Sequence, residues 1–453
     1  MQLEKIINEV SSINNNSAKT LAEIKKYIAG GASSSMRVVS YHKPLVIERS
    51  EGARIWDADN NELIDYNMGY GPLIFGHKSS IVTDAIKKEL DTRGAVLGFP
   101  TSLYKDAGKL ICDAYPSVEM LRFSSSGTEV DQTAIRLARA YTGRTHIILF
   151  EGHYHGSSDS VYHKYNANAE ELNPQGDYTA KPGTDGMGGA PYNAYVLPWN
   201  NIDELKTFLS DYGSKIAAMI MEPVMGNAGV IPPSEGFLEK VRELCTQYGI
   251  VLIFDEIITG CRIARGGAQE RYKVKSDITT FSKATIGGFP GSIIGGKKEI
   301  MDLLANNNVF HGGVYSGNPL TVAVTLATQK ELKQNGGQIY NDLERRSKLL
   351  VENIRAIFNK ADISIVMQSV GAMVSLFFVD KDISEINNYR DFCLKADKVK
   401  YIMFQHKLQE LGVYIHPNNI EPWYLSVAHS DDVIQKTLDI FEEAVKQVGS
   451  SLR

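Results

Sequence analysis

Short apolar runs alternate with amphipathic stretches through the middle of this chain, and the alternation predicts an architecture before any single residue does. Apolar positions at helical spacing predict helices over 81–90, 102–115, 129–141 and 235–248. Short apolar or β-branched runs predict strands over 120–123, 145–150, 216–221, 250–254 and 292–294. Short apolar strands alternating with helices imply an α/β layer with a largely parallel sheet. Upstream, residues 41–66 alternate apolar and polar groups in three stretches, 46–49, 52–57 and 62–66, with a turn at Asp59-Asn60-Asn61. That pattern predicts a small antiparallel meander. Leu3, Ile6, Ile7 and Val10 predict a short amphipathic helix ahead of it.

Downstream, a helix over 320–334 runs into a break at Asn335-Gly336-Gly337. A helix over 339–360, a strand over 373–378 and helices over 399–411 and 431–448 then predict a small α+β module. The expected division is 1–76 for the N-terminal helix and meander, 77–336 for the large α/β domain, and 337–453 for the C-terminal module. Residues 163–193, rich in Asn, Gly and Pro, read either as an active-site lid or as a flexible connector.

Composition narrows the function classes. The chain has 453 residues, 48 Lys and Arg against 53 Asp and Glu, and a net charge of −5, so a nucleic-acid partner is not expected. Cys112, Cys245, Cys261 and Cys393 are scattered without CxxC spacing, as in reduced, cytoplasmic proteins. The N-terminus lacks the apolar core of a secretory signal, and no apolar run suits a membrane span. A soluble, cytoplasmic chain is the expectation.

Candidate chemistry gathers at strand ends. Ile250-Val251-Leu252-Ile253-Phe254 stops at Asp255-Glu256, and Lys283 lies between Thr279-Thr280 and Gly287-Gly288. Singly, Asp255 reads as a turn cap and Lys283 as a solvated amine. Together they supply what a pyridoxal-phosphate enzyme needs: an amine for the Schiff base and a carboxylate to keep the ring nitrogen protonated. Ser124-Ser125-Ser126-Gly127-Thr128-Glu129 offers small residues at a helix N-terminus, which suits an anion. The same stretch spells a capping box between Ser126 and Glu129. In Phe150-Glu151-Gly152-His153-Tyr154-His155-Gly156, Tyr154 reads as a ring for stacking on a flat cofactor or as a packed turn aromatic. His153 and His155 lack a third ligand at suitable spacing, so no metal is expected.

Further segments share this order: Gly71-Pro72-Leu73-Ile74-Phe75-Gly76-His77, Ala134-Ile135-Arg136-Leu137-Ala138-Arg139, Glu222-Pro223-Val224, Asp255-Glu256-Ile257-Ile258-Thr259-Gly260 and Ser316-Gly317-Asn318-Pro319. From Ala29-Gly30-Gly31 to Leu425-Ser426-Val427-Ala428-His429 the chain resembles the class III, fold-type I pyridoxal-phosphate aminotransferases, and within them the glutamate-1-semialdehyde aminomutase-like branch. The resemblance implies a large domain with a mostly parallel seven-stranded sheet and a small α+β domain joining the meander to the C-terminal module. It also implies pyridoxal 5'-phosphate, an amino-acid substrate, and a homodimer with shared active sites.

By the same resemblance Lys283 is the cofactor lysine and Asp255 pairs with the ring nitrogen. Ser126, Gly127 and Thr128 hold the phosphate, Tyr154 and Ile257 cover the two ring faces, and Asn227 lies near the phenolic oxygen, with His155 in the cofactor's surroundings. Arg37 takes the substrate carboxylate, with Ser34, Tyr70 and Glu421 on the substrate side. Three positions depart from the pattern. Tyr70 replaces a tryptophan, Ser35 a proline, and Val314 the threonine that reaches the neighbouring subunit's phosphate. The first two alter the pocket. The expected function is therefore an aminotransferase of this branch acting on a carboxylate-bearing amino acid, a β-amino acid included. Glutamate-1-semialdehyde 2,1-aminomutase is the alternative, and a racemase or epimerase the weaker one. A non-enzymatic binding protein is disfavoured by the joint presence of Lys283 and Asp255.

Overall fold

The structure, a computed structural model, describes residues 2–189, 193–334 and 337–453. Asn335 and Gly336 of the expected break, and residues 190–192 of the long loop, lie outside the described residues. The chain opens with helices α1 (Gln2–Ser11) and α2 (Asn16–Ile24), then strands β1 (Ile47–Glu51), β2 (Arg54–Asp57) and β3 (Glu62–Asp65). Helices α3 (Ser80–Thr92) and α4 (Leu103–Ala114) lead into β4 (Met120–Ser124), α5 (Gly127–Thr142), β5 (His146–Phe150) and β6 (Ala194–Leu197). Next come α6 (Ile202–Tyr212), β7 (Ile216–Met221), α7 (Phe237–Tyr248), β8 (Val251–Asp255), α8 (Gly267–Tyr272), β9 (Ile278–Phe281), β10 (Ser292–Gly296) and α9 (Lys298–Ala305). The rest comprises α10 (Pro319–Gln334), α11 (Gln338–Lys360), β11 (Ile365–Val370), β12 (Met373–Phe378), α12 (Tyr389–Lys395), α13 (Lys398–Leu411), β13 (Val413–Tyr414), β14 (Trp423–Tyr424) and α14 (Asp431–Leu452).

Seven strands form the main sheet in the order β4-β10-β9-β8-β7-β5-β6. The ladder from β9 to β6 is parallel, and β10 runs antiparallel between β4 and β9. This is the mostly parallel α/β layer that the resemblance implied. Its central strands are apolar on both sides because both faces are covered. In β8, Leu252 and Phe254 join a cluster with Phe208 and Leu244, whereas Val251 and Ile253 join Val130, Ala134 and Ile300 on the other face.

Two smaller sheets flank it. The meander β1-β2-β3 is extended by β13, whose Val413 and Tyr414 pair in parallel with Ile64 and Asp65. The expected turn is organised by the buried Asp57, whose Oδ1 accepts from the Asp59 and Asn61 amides at 2.9 and 2.8 Å. Asn60 takes a left-handed backbone there, with φ 64°. The third sheet is β11-β12-β14.

The expected boundaries shift in two informative places. Helix α5 starts at Gly127 rather than 129, and β8 continues through Asp255. Sequence patterning passed over α2, β6, α6, α8, β9, α9, β11, α12, β13 and β14, most of them short. The described part of the long loop is pinned, not free-standing. Ala167 accepts from the Tyr389 hydroxyl at 2.7 Å, and Arg390 clasps Glu151 and the Asn173 carbonyl. Among the described residues no helix is long and apolar enough to cross a membrane.

Ile253 is fully buried in the sheet centre. Ile253→Ala should cost about 2–5 kcal/mol, because the neighbouring strands cannot close the void. A lowered urea midpoint for the full chain would show it.

Candidate active site

The cavity lies at the carboxyl ends of β8 and β9, where open parallel sheets bind ligands. Asp255 ends β8 opposite Thr280 of β9, and the chain leaves β9 through Ser282 into Lys283. Lys283 has φ 43°, a left-handed conformation for a residue with a side chain, and opens a single turn, Lys283–Ile286. That backbone is worth on the order of 1 kcal/mol of strain, which the buried surroundings must hold.

A cavity of about 300 Å³ is lined by Lys283, Asp255, Ile257, Gly127, Thr128, Tyr154, Asn227, Arg37, Ser34, Tyr70 and Glu421, together with Glu222, Met36 and Ser282. Eleven of the fourteen residues singled out from sequence thus line one cavity. Burial pushes the Lys283 amine down, against the upward pull of Glu421, Glu222 and Asp255. Burial also raises the Glu421 carboxyl to about 7, with Lys283 opposing.

Asp255 is held in place from behind. Its Oδ1 accepts from the Ile257 amide at 3.0 Å, and His155 Nδ1 lies 2.7 Å from its Oδ2. Glu222 does the same for the opposite wall. Its carboxylate accepts from the Tyr154 amide at 2.8 Å, the Gly226 amide at 2.7 Å and Asn227 Nδ2 at 2.8 Å. Asn227 is therefore fixed with one amide hydrogen and its carbonyl still available.

Arg37 sits on a short turn, Ser35–Arg37, capped by the Ser34 carbonyl. Its guanidinium carbon is 5.9 Å from the Tyr70 ring centre, and among the described residues no acid pairs with it. Tyr70 bonds the Met36 carbonyl at 3.3 Å and His416 Nε2 at 3.2 Å. Burial, with help from Glu421, raises its hydroxyl to about 12.

Three residues expected at the cofactor do not line this chain's own cavity, and for Val314, expected at the neighbouring subunit's phosphate, that is no departure. Ser126 is exposed, and its side chain caps α5 by accepting from the Glu129 amide at 3.4 Å. The reciprocal arm of the expected capping box is shifted, since the Glu129 carboxylate takes the Ser125 amide and the Ser124 hydroxyl. His155 is behind Asp255, not on the cavity wall. Val314 is 77% exposed and outside its own chain's cavity.

Sequence reasoning missed Glu222, although Glu222-Pro223-Val224 was singled out as a motif, because nothing local says which partners its carboxylate meets. It also missed Arg262, fully buried, which donates to the Leu425 carbonyl at 2.6 Å and to the Gly71 carbonyl. Asp131 and His416 gave no sequence signal at all. The two histidines judged a poor metal pair part company: His153 Nδ1 accepts from the Glu222 amide at 3.0 Å, whereas His155 meets Asp255 and Asp131. Asp131, His155 and Asp255 bring one atom each within 4.8 Å of one another. Asp255 is engaged by the imidazole and by Ile257, and Asp131 lies close to the pair without a bond to the imidazole.

The residues fit the cofactor that the sequence resemblance implies. The α5 N-terminus with Gly127 and Thr128 faces the cavity, as an anion requires. Room there depends on glycine: a Cβ on Gly127 would come 2.8 Å from Ile257 Cδ1, and one on Gly156 would come 2.5 Å from Thr128 Oγ1. Tyr154 and Ile257 offer apolar surfaces, Asp255 an anion and Lys283 an amine. Gly156→Ala should destabilise the chain by about 1–3 kcal/mol, since φ is +86° and the clash reaches the Thr128 backbone. Gly127→Ala, which meets only a flexible side-chain end, should lower the thermal midpoint less.

Known proteins agree with this geometry. The sequence profile described as Aminotransferase class-III matches residues 36–445. Glutamate-1-semialdehyde 2,1-aminomutase of Persephonella marina is 40% identical over 94% of this chain and 97% of its own length. The enzyme of that name from a Sulfurihydrogenibium species is 39% identical over 96% and 100%. An omega-transaminase structure from Sphaerobacter thermophilus superposes with a TM-score of 0.87 at 28% identity, covering 97% of this chain and 99% of that one. A glutamate-1-semialdehyde aminomutase structure from Pseudomonas aeruginosa gives 0.86 at 22% identity, over 99% and 98%, and speaks for the fold alone. The chain belongs to the class III aminotransferase family.

Proposed function

We propose that this enzyme moves an amino group within one carboxylate-bearing substrate, in the manner of a glutamate-1-semialdehyde 2,1-aminomutase. The carrying observation is one cavity that holds Lys283, Asp255 and an Arg37 with no acid partner among the described residues. The family uses pyridoxal 5'-phosphate. Bound here, it supplies an aldehyde that condenses with amines and a protonated ring that draws electrons from the adjoining carbon.

The side chains divide the work. Asp255 keeps a negative charge beside the ring nitrogen, with His155 and the Ile257 amide fixing its direction. Gly127, Thr128 and the α5 N-terminus would hold the phosphate, Tyr154 and Ile257 would cover the ring, and Asn227 would lie on the side of the phenolic oxygen; all five residues line the one cavity. Lys283 Nζ, once free, would take the proton from the carbon bearing the substrate nitrogen and return it on the far side of that nitrogen. Its lowered proton affinity suits that duty, and Glu421 faces it with a carboxyl that titrates at about 7. Arg37 takes the substrate carboxylate in its planar fork.

The sequence alone favoured transfer between two molecules, on the strength of the changed pocket residues. The relatives named above favour the aminomutase instead. Transfer from an ω- or β-amino acid stands as the second reading, for a specific reason. Tyr70 is bonded to His416, which reshapes the wall beside Arg37. A homodimer with shared sites belongs to the proposal, and it gives Phe99, Phe310, Val314 and Tyr315, all largely exposed, an apolar surface to meet.

Purified chain given glutamate 1-semialdehyde and no other amine should form the isomer with the amine on carbon 1. No isomer, together with amine uptake from an ω- or β-amino acid, would sink the aminomutase reading. Lys283→Ala should lose the borohydride-sensitive visible band and at least about 10²–10⁴ in turnover.

A further inference from the structure

Asp131 is a buried acid that the function described so far does not use. It lies in the second turn of α5, fully enclosed, with one oxygen within 4.8 Å of both Asp255 and His155. Among the described residues neither of its carboxyl oxygens takes a well-aligned hydrogen bond, although the Thr280 hydroxyl and the Asp255 carboxyl face it. Asp255, by contrast, has two donors, the Ile257 amide and His155 Nδ1. Two enclosed carboxylates this close cannot both stay ionised. The charge settles on the one with two placed donors, and the proton on the other.

We propose that Asp131 is the proton-bearing member of an Asp131–His155–Asp255 unit, leaving Asp255 as the single carboxylate that faces the cofactor's ring nitrogen. The assignment rests on the cavity reading above for what Asp255 faces. Asp131 acts through Asp255 and touches neither substrate nor cofactor, so it is a positioning residue. Its role is to fill the space behind the ion pair with a polar group that adds no second negative charge.

The surroundings support this. Burial first, and Asp255 second, push the Asp131 carboxyl well above the usual carboxylate range. The other titratable groups turned toward it are Glu222, beyond β7, and Tyr154, beyond β5; β9 contributes the hydroxyl of Thr280. On the remaining sides β10 and α9 pack against α5 with Ile294, Ile300, Met301 and Leu304. None of these offers a positive charge to hold Asp131 ionised.

The test compares wild type with Asp131→Asn, which is uncharged at every pH. A carboxyl held above its unfolded value of about 3.9 binds a proton that the unfolded chain has released. The folded wild type therefore loses ground as pH rises, and asparagine has no such proton to lose. With and without added pyridoxal phosphate, the ratio of folding constants should move toward Asp131→Asn by up to about tenfold per pH unit across the window where wild-type Asp131 is still protonated. A pH-independent ratio, or one moving toward wild type, overturns the proposal.

Should the variant not fold, wild type alone decides. At mildly alkaline pH an infrared band of a protonated carboxyl should shift on ¹³C labelling of aspartate, which separates Asp131 from the upshifted Glu222, Glu256 and Glu421. Its absence overturns the proposal. In loaded protein the ¹⁵N signal of the ring nitrogen should be the same in Asp131→Asn as in wild type; a move toward the unprotonated position would show that Asp131 had been contributing charge. A chain that takes up no pyridoxal phosphate refutes the cavity reading instead, and leaves the stability comparison to decide Asp131.

Discussion

A negative charge at the end of a buried strand is the constraint around which the rest is arranged. Asp255 is almost wholly enclosed, and an isolated carboxylate in that position would take up a proton. An imidazole and an amide are instead bonded to it and replace the water that burial removes. Those donors in turn need fixed positions. His155 follows β5, the Ile257 amide begins the turn after β8, and the strands between them carry apolar side chains on both faces. The sheet thus does two jobs at its carboxyl edge: it excludes water from Asp255, and it holds the donors that make exclusion tolerable.

Glu222 repeats the logic across the cavity. One buried carboxylate collects the Tyr154 and Gly226 amides and the Asn227 side chain, so a ring, a glycine turn and an amide are tied to one point. Asp255 and Asn227 are thus each bonded on the side turned away from the cavity. Arg37 is held differently. It is carried by a short turn whose anchor is the Tyr70 hydroxyl on the Met36 carbonyl.

Residues whose position follows from a strand end or a helix start were legible in the sequence. Asp255, Lys283, Gly127 and Thr128 sit where apolar runs stop, and a run's end can be read from one dimension. Arg37, Tyr70 and Glu421 came from family likeness and meet only because β13 pairs with β3. Ser126 and His155 stand beside the cavity rather than on its wall. A serine before a helix reads as anion ligand or cap alike, and the structure uses it as a cap. A histidine two residues past a strand could face either side of the turn. Asp131, Arg262 and His416 were invisible because their partners lie on elements far away in the chain, and burial without a local pattern leaves no trace in sequence.

The pairing of β3 with β13 also sets an order of events. Residue 64 finds its partner only at residue 413, so the strand that carries the chain toward Tyr70 stays unpaired on that edge until nearly all of the chain has been synthesised. The main sheet, closed between residues 120 and 296, needs no such wait. Long-range pairing of this kind forms late. The cofactor side of the cavity is therefore assembled first during synthesis, and the substrate side is fitted over it as the last segments emerge.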